Sequence, residues 1–214
     1  MENEIEKFVK NRGILNLYHF TPLPNVVNIL EHGLLTRKYM EEKGFPFKPS
    51  DSDRYDGRLD TVSCSISWPN YDMLRRKINQ DDPYVIVRLA PDILWNFRCL
   101  FFPANAARSQ YSAKTNSDEN FIGLEALKKL FDQQVKTSGY NCYECNRAEN
   151  VQKRFTTDVQ AEVMVCGNIP IEYVVDINCA SDDNKLKLWN LLEKDSKKRS
   201  KVITNHVFFE PRQC

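Results

Sequence analysis

The sequence has no apolar stretch approaching the roughly 20 residues that a helix needs to span a bilayer. It also lacks the basic start followed by an apolar core that marks a secretory signal, because its first segment, "MENEIEKFVKNRG", is acidic and amphipathic. These two absences exclude a membrane protein and predict a chain that works in the cytoplasm.

Phosphate-binding glycine motifs are also missing. The sequence contains neither a GxGxxG fingerprint nor a P-loop, so neither a Rossmann nucleotide site nor a Walker site is supported.

Internal repeats and low-complexity segments are absent as well. The 214 residues therefore predict one domain, 1–214, with enough length to bury a core.

Cysteines are scattered rather than patterned. Seven Cys without a signal segment indicate free thiols in a reducing compartment. Cys142 and Cys145 in "CYEC" have metal-ligand spacing, but two further ligands are lacking, which favours two loop thiols over zinc. We predict no metal. With three His in the chain a Cys–His nucleophilic pair is arithmetically possible, but no local context selects one Cys.

Charge is nearly balanced, with a formal net charge of +1, so a nucleic-acid partner would need a local basic patch. Two short basic runs are candidates, one at Arg75, Arg76 and Lys77 and the other at Lys153 and Arg154. Such runs are most often solvated surface. Polar stretches nearby contain aromatic residues that could stack on the bases of a single strand: Tyr111, Tyr140, Tyr143 and Phe155.

Helical and strand patterns are interleaved irregularly, which predicts an α+β fold. Helices are predicted for "EIEKFVKNRG", "TPLPNVVNILEHG", "NYDMLRRKI", "FIGLEALKKLFDQQV" and "DDNKLKLWNLLEKDSKKRSK". In the helix predicted for "TPLPNVVNILEHG", Thr21 is the expected N-cap and Gly33 should end the helix. Asn70 should cap the helix predicted for "NYDMLRRKI". Strands are predicted for "ILNLYHF", "TVSCSIS", "YVIVRL", "FRCLFF", "AEVMVCG", "IEYVVDINC" and "VITNHVFF". Long polar stretches between these elements, 43–60, 103–120 and 136–158, could form a cleft.

Glu162 is an acid at the head of an apolar strand, "AEVMVCG". It could be an exposed acid at a strand edge. Alternatively, it could be a rigidly held carboxylate facing a cleft, where it would stabilise the positive charge that develops when a glycosidic bond breaks. The sequence pattern alone does not choose between these two interpretations.

The sequence also allows two interpretations for each of three other candidate site residues. His19 follows a predicted strand and precedes a helix, so its ring is either structural or part of a polar pocket beside a helix N-terminus. Arg54 and Arg58 lie in the long polar stretch and are either solvated or able to clamp a diphosphate.

Four segments together resemble the DarT family of nucleic-acid ADP-ribosyltransferases: "LYHFTPLPNVVNILEHGLLTR", "DTVSCSISWPNYDML", "CLFFPANAARSQ" and "FTTDVQAEVMVCGNIPIEYV". They occur in the order and spacing of the family and cover nearly the whole chain. The resemblance implies an ADP-ribosyltransferase fold, a split central β-sandwich with flanking helices around an NAD cleft. It also implies transfer of ADP-ribose from NAD+ to a base of single-stranded DNA, with release of nicotinamide and without a metal.

Members of this family are bacterial toxins, so the resemblance further implies a role in a toxin–antitoxin or phage-defence system that blocks replication. It also implies a cognate antitoxin, a macrodomain that removes the modification. Transfer to RNA or to a protein, and a binding module without chemistry, are the alternatives.

The same resemblance assigns residues. Glu162 matches the catalytic glutamate; His19, Phe20 and Thr21 match the first NAD-contacting motif, with Asn28 and Thr36 as further NAD contacts. Arg58 matches an arginine that contacts NAD and assists proton removal from the base, and Arg54 is its rival. The span from Arg108 to Glu162 corresponds to the segment that presents the substrate strand, so Arg108 joins Arg75, Arg76, Lys153 and Arg154 as candidate nucleic-acid contacts. "SISWPNYDM" and "PANAAR" resemble the branch that modifies guanine more than the one that modifies thymine.

Overall fold

The computed structural model describes residues 3–49, 56–78, 83–113, 116–192 and 195–212. Nine strands lie in these ranges: β1 (Leu17–Pro22), β2 (Thr61–Ile66), β3 (Tyr84–Leu89), β4 (Cys99–Phe102), β5 (Gln134–Lys136), β6 (Glu144–Asn146), β7 (Glu162–Cys166), β8 (Val174–Cys179) and β9 (Val202–Thr204). The α-helices of the same ranges are α1 (Glu4–Arg12), α2 (Val26–His32), α3 (Arg37–Lys43), α4 (Tyr71–Ile78), α5 (Ile93–Asn96), α6 (Gly123–Lys129), α7 (Asp182–Leu191) and α8 (Ser196–Ser200).

Seven of the strands form one mixed sheet in the order β4-β7-β2-β1-β3-β8-β9, and β5 and β6 form a separate hairpin. The neighbours in the large sheet are antiparallel except β8 and β9, which are parallel. Helices flank this sheet in an irregular order. The predicted α+β class is therefore confirmed.

The large sheet is nearly divided in two. β1 pairs with β3 along its whole length, but with β2 only through Leu17–Ile66 and Tyr18–Ser65. Beyond Tyr18 the two strands separate, leaving the β4-β7-β2 half and the β1-β3-β8-β9 half joined by this short ladder. The split predicted around an NAD cleft thus corresponds to the gap between these two halves of one sheet.

The main core lies on one face of the sheet. Alternate residues of β2 and β7 point into it, including Val62, Cys64, Val163 and Val165, all at most 4% exposed. A smaller cluster around Leu100, Phe102, Met164, Tyr111 and Phe121 covers the other face of the β4-β7 half. β7 is thus buried on both faces, so its first residue, Glu162, starts from a rigid strand.

Several local predictions are confirmed. α1 ends at Gly13, whose φ of 69° closes the helix, and α2 ends at Gly33. The Asn70 side chain accepts a hydrogen bond from the Met73 N–H, 3.1 Å away, and so caps α4.

Other local predictions are wrong. Thr21 is not an N-cap, because β1 continues to Pro22 and a 3₁₀ turn at Leu23–Asn25 precedes α2. The helix predicted for 121–135 ends at Lys129, since Gln134–Lys136 forms the hairpin strand β5 instead. The last long helix is split into α7 and α8. In the described ranges, no helix is long and apolar enough to cross a membrane.

Candidate active site

A cleft of ≈ 200 Å³ opens where β1 and β2 part. Its walls are β1 on one side, β2 on the other, and α2, α3, α4 and the segment after β4 around the rim. The ladder between the two strands stops at Tyr18, so the β2-facing edge of β1 borders the cleft from His19 to Thr21. Backbone hydrogen-bonding groups of this edge can therefore face a ligand in the cleft.

Glu162 lies in this cleft as a half-buried residue, and both carboxylate oxygens have donors. The Ser63 hydroxyl donates to Oε1, and the Ala106 N–H donates to Oε2 over 3.0 Å. Because the two donors come from separate elements, β2 and the segment after β4, they fix the orientation of the carboxylate plane. This is the geometry expected of a preorganised acid.

The segment after β4 is itself anchored. The Asn105 amide donates to the Met73 sulfur over 3.1 Å and its oxygen accepts from the Ala107 N–H over 2.8 Å. Asn105 and Met73 also line the cleft. α4 therefore supports the backbone donor that holds Glu162.

The chain just before Glu162 is braced by side chains from remote segments. Arg147 donates to the Phe155 carbonyl over 2.8 Å, and Arg212 donates to the Thr156 and Thr157 carbonyls over 2.7 and 3.1 Å. Asp158 accepts from the Tyr143 hydroxyl and from the Gln160 N–H. Burial raises the pKa of Asp158 above its usual value, and burial together with this hydrogen bond raises the pKa of Tyr143. The segment that leads into β7 is thus held in place by these contacts.

His19, Phe20 and Thr21, the predicted NAD-contacting motif, all line the cleft. His19 Nδ1 lies 2.8 Å from the Ser63 carbonyl oxygen, so the ring bridges the two strands where their ladder has ended. Thr21 Oγ1 accepts a hydrogen bond from the Asn25 amide over 2.9 Å. These bonds hold the motif in place before any ligand is present.

The two further predicted contacts differ. Asn28 lines the cleft, and its amide donates to the Pro46 carbonyl over 2.7 Å. Thr36 does not line the cleft: it is 4% exposed and its hydroxyl caps α3 by accepting from the Tyr39 N–H over 3.2 Å. Its neighbours Leu35 and Arg37 take the positions on the wall.

Arg58 does not line the cleft. Its side chain is 3% exposed, its Nε donates to Asp118 over 2.9 Å, and its Nη1 donates to the Tyr111 carbonyl over 2.9 Å. The guanidinium also lies over the rings of Phe102 and Phe121. This geometry does not support the predicted contact with NAD and gives Arg58 a positioning role for the segments around β4. Arg54 lies outside the described residues.

The five predicted nucleic-acid contacts are spread over the surface, and none of these described residues lines the cleft. Arg75 and Arg76 are exposed on α4, and Arg75 pairs loosely with Asp72 at 3.7 Å. Arg108 stacks on Tyr143, with 4.5 Å to the ring centroid, and Arg154 on Phe155. Lys153 is exposed. In the predicted substrate segment from Arg108 to Glu162, the described residues include α6 and the β5–β6 hairpin.

Three cations on the cleft wall were not predicted from sequence to lie there: Arg37, Lys48 and Lys77. They come from α3, the following segment and α4, and no local motif marks them. A signal was available for Ser63, because Thr61, Ser63 and Ser65 are small polar residues that alternate with core residues along β2. That alternation indicates a strand face turned toward a site.

None of the six described cysteines lines the cleft except Cys64, which is buried. Burial raises the pKa of Cys64 well above its usual value, with Cys99 and Glu162 nearby adding to the effect, so its thiol stays protonated. Cys142 is exposed in the hairpin connection and Cys145 lies in β6. Among the described residues, no three His, Cys, Asp or Glu side chains are grouped as metal ligands.

Comparison with known structures supports the fold. Thermus sp. 2.9 DarT in complex with ADP-ribosylated ssDNA has a TM-score of 0.59 and 15% identity, with 92% of this chain and 97% of that chain covered. The same protein in complex with NAD+ has a TM-score of 0.55 and 16% identity, with 92% of this chain and 98% of that chain covered. Thermosipho africanus DarTG in complex with ADP-ribose has a TM-score of 0.57 and 17% identity, with 91% of this chain but only 51% of that chain covered. This chain therefore spans about half the length of that neighbour.

No curated protein matches the sequence. A family model described as "ssDNA thymidine ADP-ribosyltransferase, DarT" matches residues 18–209, a range that includes both strands of the cleft, the segment after β4 and Glu162. Because this match extends over most of the chain, the protein belongs to the DarT family.

Proposed function

We propose that this protein is an NAD+-dependent ADP-ribosyltransferase that modifies a base of single-stranded DNA, with guanine as the preferred base. The observation that carries the proposal is the Glu162 carboxylate, which two donors hold at the lip of the split sheet. The family match and the ssDNA and NAD+ complexes of the Thermus neighbour support NAD+-dependent ADP-ribosylation of single-stranded DNA, whereas the family model is described by thymidine and the choice of guanine rests on the sequence segments given below.

The cleft has the groups that NAD+ would need. The β2-facing edge of β1 at His19–Thr21 suits the nicotinamide amide, and the His19 ring suits a ribose hydroxyl. Arg37, Lys48 and Lys77 line the same space and would meet the diphosphate with positive charge. Asn28 adds an amide on the α2 wall.

The reaction breaks the bond between the ribose C1′ and the nicotinamide nitrogen, and the electron pair leaves with nicotinamide. A base nitrogen donates the pair that forms the new bond to C1′, and its proton passes to Glu162 and then to water. One NAD+ and one base thus give one ADP-ribosylated base, nicotinamide and a proton. Glu162 stabilises the positive charge at C1′ because its carboxylate is held in place before the charge develops.

Guanine is preferred over thymine because "SISWPNYDM" and "PANAAR" resemble the guanine-modifying branch. We also propose that the modification blocks replication in a toxin–antitoxin or phage-defence setting, with a macrodomain antitoxin as partner. The Thermosipho neighbour is DarTG, about twice the length of the matched region, which is consistent with such a pairing.

The test is a mass-spectrometric search for adducts. The purified protein is incubated with NAD+ and single-stranded DNA or RNA oligonucleotides of defined base content, and the digested nucleosides are analysed together with released nicotinamide. Glu162→Gln, which keeps the side-chain shape, should lower transfer by about a hundredfold or more. Glu172→Gln, which changes an exposed glutamate in the turn before β8, should not.

An adduct on deoxyguanosine that depends on Glu162 supports the proposal. An adduct confined to RNA would support the proposed NAD+ chemistry but would show that the acceptor is RNA rather than DNA. Nicotinamide release without any nucleic-acid adduct would point to a protein acceptor, and no release at all from folded protein would indicate a binding module.

A further inference from the structure

A second cavity, of ≈ 190 Å³, lies beside the cleft and plays no part in holding NAD+ in the proposal above. Ser65 lines both spaces. Ala161, the residue immediately before Glu162, lines the second cavity as well. The two cavities therefore share one residue of β2, and the second cavity also reaches the residue that precedes Glu162 in the chain. We call this second space the tryptophan pocket, after Trp68 in its wall.

The wall of the tryptophan pocket offers aromatic and other apolar surface: Ile66, Trp68, Pro69, Tyr71, Val159 and Pro211. The Trp68 indole is fixed rather than mobile. Its Nε1 donates to the Glu210 carbonyl over 3.1 Å, and its ring meets Phe155 and Phe208 edge to face, at 88° and 74°. Edge-to-face contacts of this kind hold the aromatic ring in place, and Trp68 also presents part of its surface to the cavity.

The turn that places Trp68 has an unusual conformation. Ser67 has a φ of 62°, one of two positive values among the described non-glycine residues. Its N–H donates to the Asn16 carbonyl over 3.0 Å, and the Trp68 N–H donates to the Ile66 carbonyl over 2.7 Å. A left-handed conformation costs a serine free energy, and such strain is concentrated at ligand sites. Here it turns the chain sharply after β2 and brings Trp68 into the wall.

One acid and one arginine add polarity to the wall. Asp72 is 40% exposed at its side chain and pairs loosely with Arg75 at 3.7 Å. An ionised carboxylate accepts hydrogen bonds and donates none. Arg212 braces the Thr156 and Thr157 carbonyls and so keeps the opposite wall in place.

Guanine matches this combination better than thymine does. It has a flat face for stacking on an indole, and its N1–H and N2–H₂ are adjacent donors that one carboxylate can accept together. Thymine has a single N–H between two carbonyl oxygens, which would face the negative charge of Asp72.

We infer that the tryptophan pocket binds a guanine of the acceptor strand, with the base stacked on Trp68 and its Watson–Crick edge on Asp72. This inference rests on the proposed function, since it supplies the acceptor site for that reaction. Because Ser65 lines both cavities and Ala161 precedes Glu162, a strand bound in this way would lie close to the cleft that holds Glu162.

The experiment measures binding of single-stranded oligonucleotides to the full chain, using oligo(dT) with and without one central guanine. Trp68 is one of three tryptophans, so stacking is observed directly as quenching of protein fluorescence. Trp68→Ala should weaken binding of the guanine oligonucleotide about 5-fold to about 150-fold. Trp68→Phe should retain most of the affinity while removing the quenching. Trp189→Phe, on α7, is the matched control and should leave both affinity and quenching in place.

Asp72→Asn should reduce the preference for the guanine oligonucleotide over plain oligo(dT) about tenfold, with little change for oligo(dT). The Kd for NAD+, measured by calorimetry on each variant, reports whether the neighbouring cleft is still folded. If Trp68→Ala unfolds the chain, the Phe and Asn variants still decide the matter.

Unchanged affinity in Trp68→Ala, quenching that survives in Trp68→Phe, or an unaltered guanine preference in Asp72→Asn would overturn the inference. If the wild-type protein meanwhile modifies single-stranded DNA, the proposed function stands and only the pocket assignment is lost. If the wild-type protein neither binds nor modifies any oligonucleotide, both are lost.

Discussion

Replacing Ser63 by alanine tests whether the fixed orientation of Glu162 is what makes it effective. The Ser63 hydroxyl donates to Oε1, while the Ala106 N–H holds Oε2, so the variant removes one of two donors. A hydrogen bond to a charged group contributes about 1.5–3 kcal/mol. If that contribution is expressed in the transition state, kcat falls by about tenfold to about a hundredfold. The remaining donor keeps the carboxylate in the cleft, so KM for NAD+ should change little.

The assay is steady-state nicotinamide release with a saturating single-stranded acceptor. Ser63→Thr keeps the hydroxyl on a β-branched side chain that suits a strand, and it should restore most of the rate. Ser200→Ala removes a hydroxyl from the exposed helix α8 and serves as the control for the substitution itself. A Ser63→Ala enzyme with kcat within about twofold of wild type would refute the reasoning, because orientation by β2 would then contribute nothing.

Two further predictions concern groups around the site. Arg58→Lys should lower the free energy of unfolding by about 2–4 kcal/mol, because lysine cannot reach both Asp118 and the Tyr111 carbonyl, while the Kd for NAD+ of the folded variant stays unchanged. Unaltered stability in denaturant titrations together with tenfold weaker NAD+ binding would instead favour direct contact. For Asp158, burial raises the native pKa above the usual 3.8, so the native state retains this proton at a pH where the unfolded chain has lost it, and wild-type stability falls as pH rises through that window. Asp158→Asn should therefore gain stability relative to wild type as pH rises from about 4, in urea titrations at several pH values, and a pH-independent difference would contradict the cause.

The strands were predictable where burial is visible in local composition. "YVIVRL" and "AEVMVCG" are apolar runs, and both form strands in the interior of the sheet. Prediction failed where pairing overrode local signals. "TPLP" has the residues of a helix start, yet Thr21 and Pro22 extend β1 because β3 continues beside them as a partner. The end of the α6 pattern likewise becomes β5 because β6 is available to pair with it.

The candidate site shows the same division. Glu162 and His19 could be selected from sequence because each stands where a strand pattern begins or ends. Arg37, Lys48 and Lys77 could not, since three separate segments bring them to the cleft and a cation has no local feature that distinguishes a wall from a surface. Arg58 shows the opposite case: a basic residue in a polar stretch proves to be buried, because Asp118 and two aromatic rings enclose it.

The short ladder between β1 and β2 explains why one strand can serve both proposed subsites. A full ladder would pair the edge of β1 that is proposed to hold NAD+, whereas the short ladder leaves the Ser63 carbonyl oxygen to the His19 ring. β2 must therefore end its pairing early and fill the gap with small side chains. Ser63 turns its hydroxyl to Glu162, and Ser65 leaves space on both sides of itself, toward the cleft and toward the tryptophan pocket. A large side chain at either position would occupy one of these spaces, so in the proposed reaction the small residues of "TVSCSIS" leave room for both NAD+ and the acceptor base.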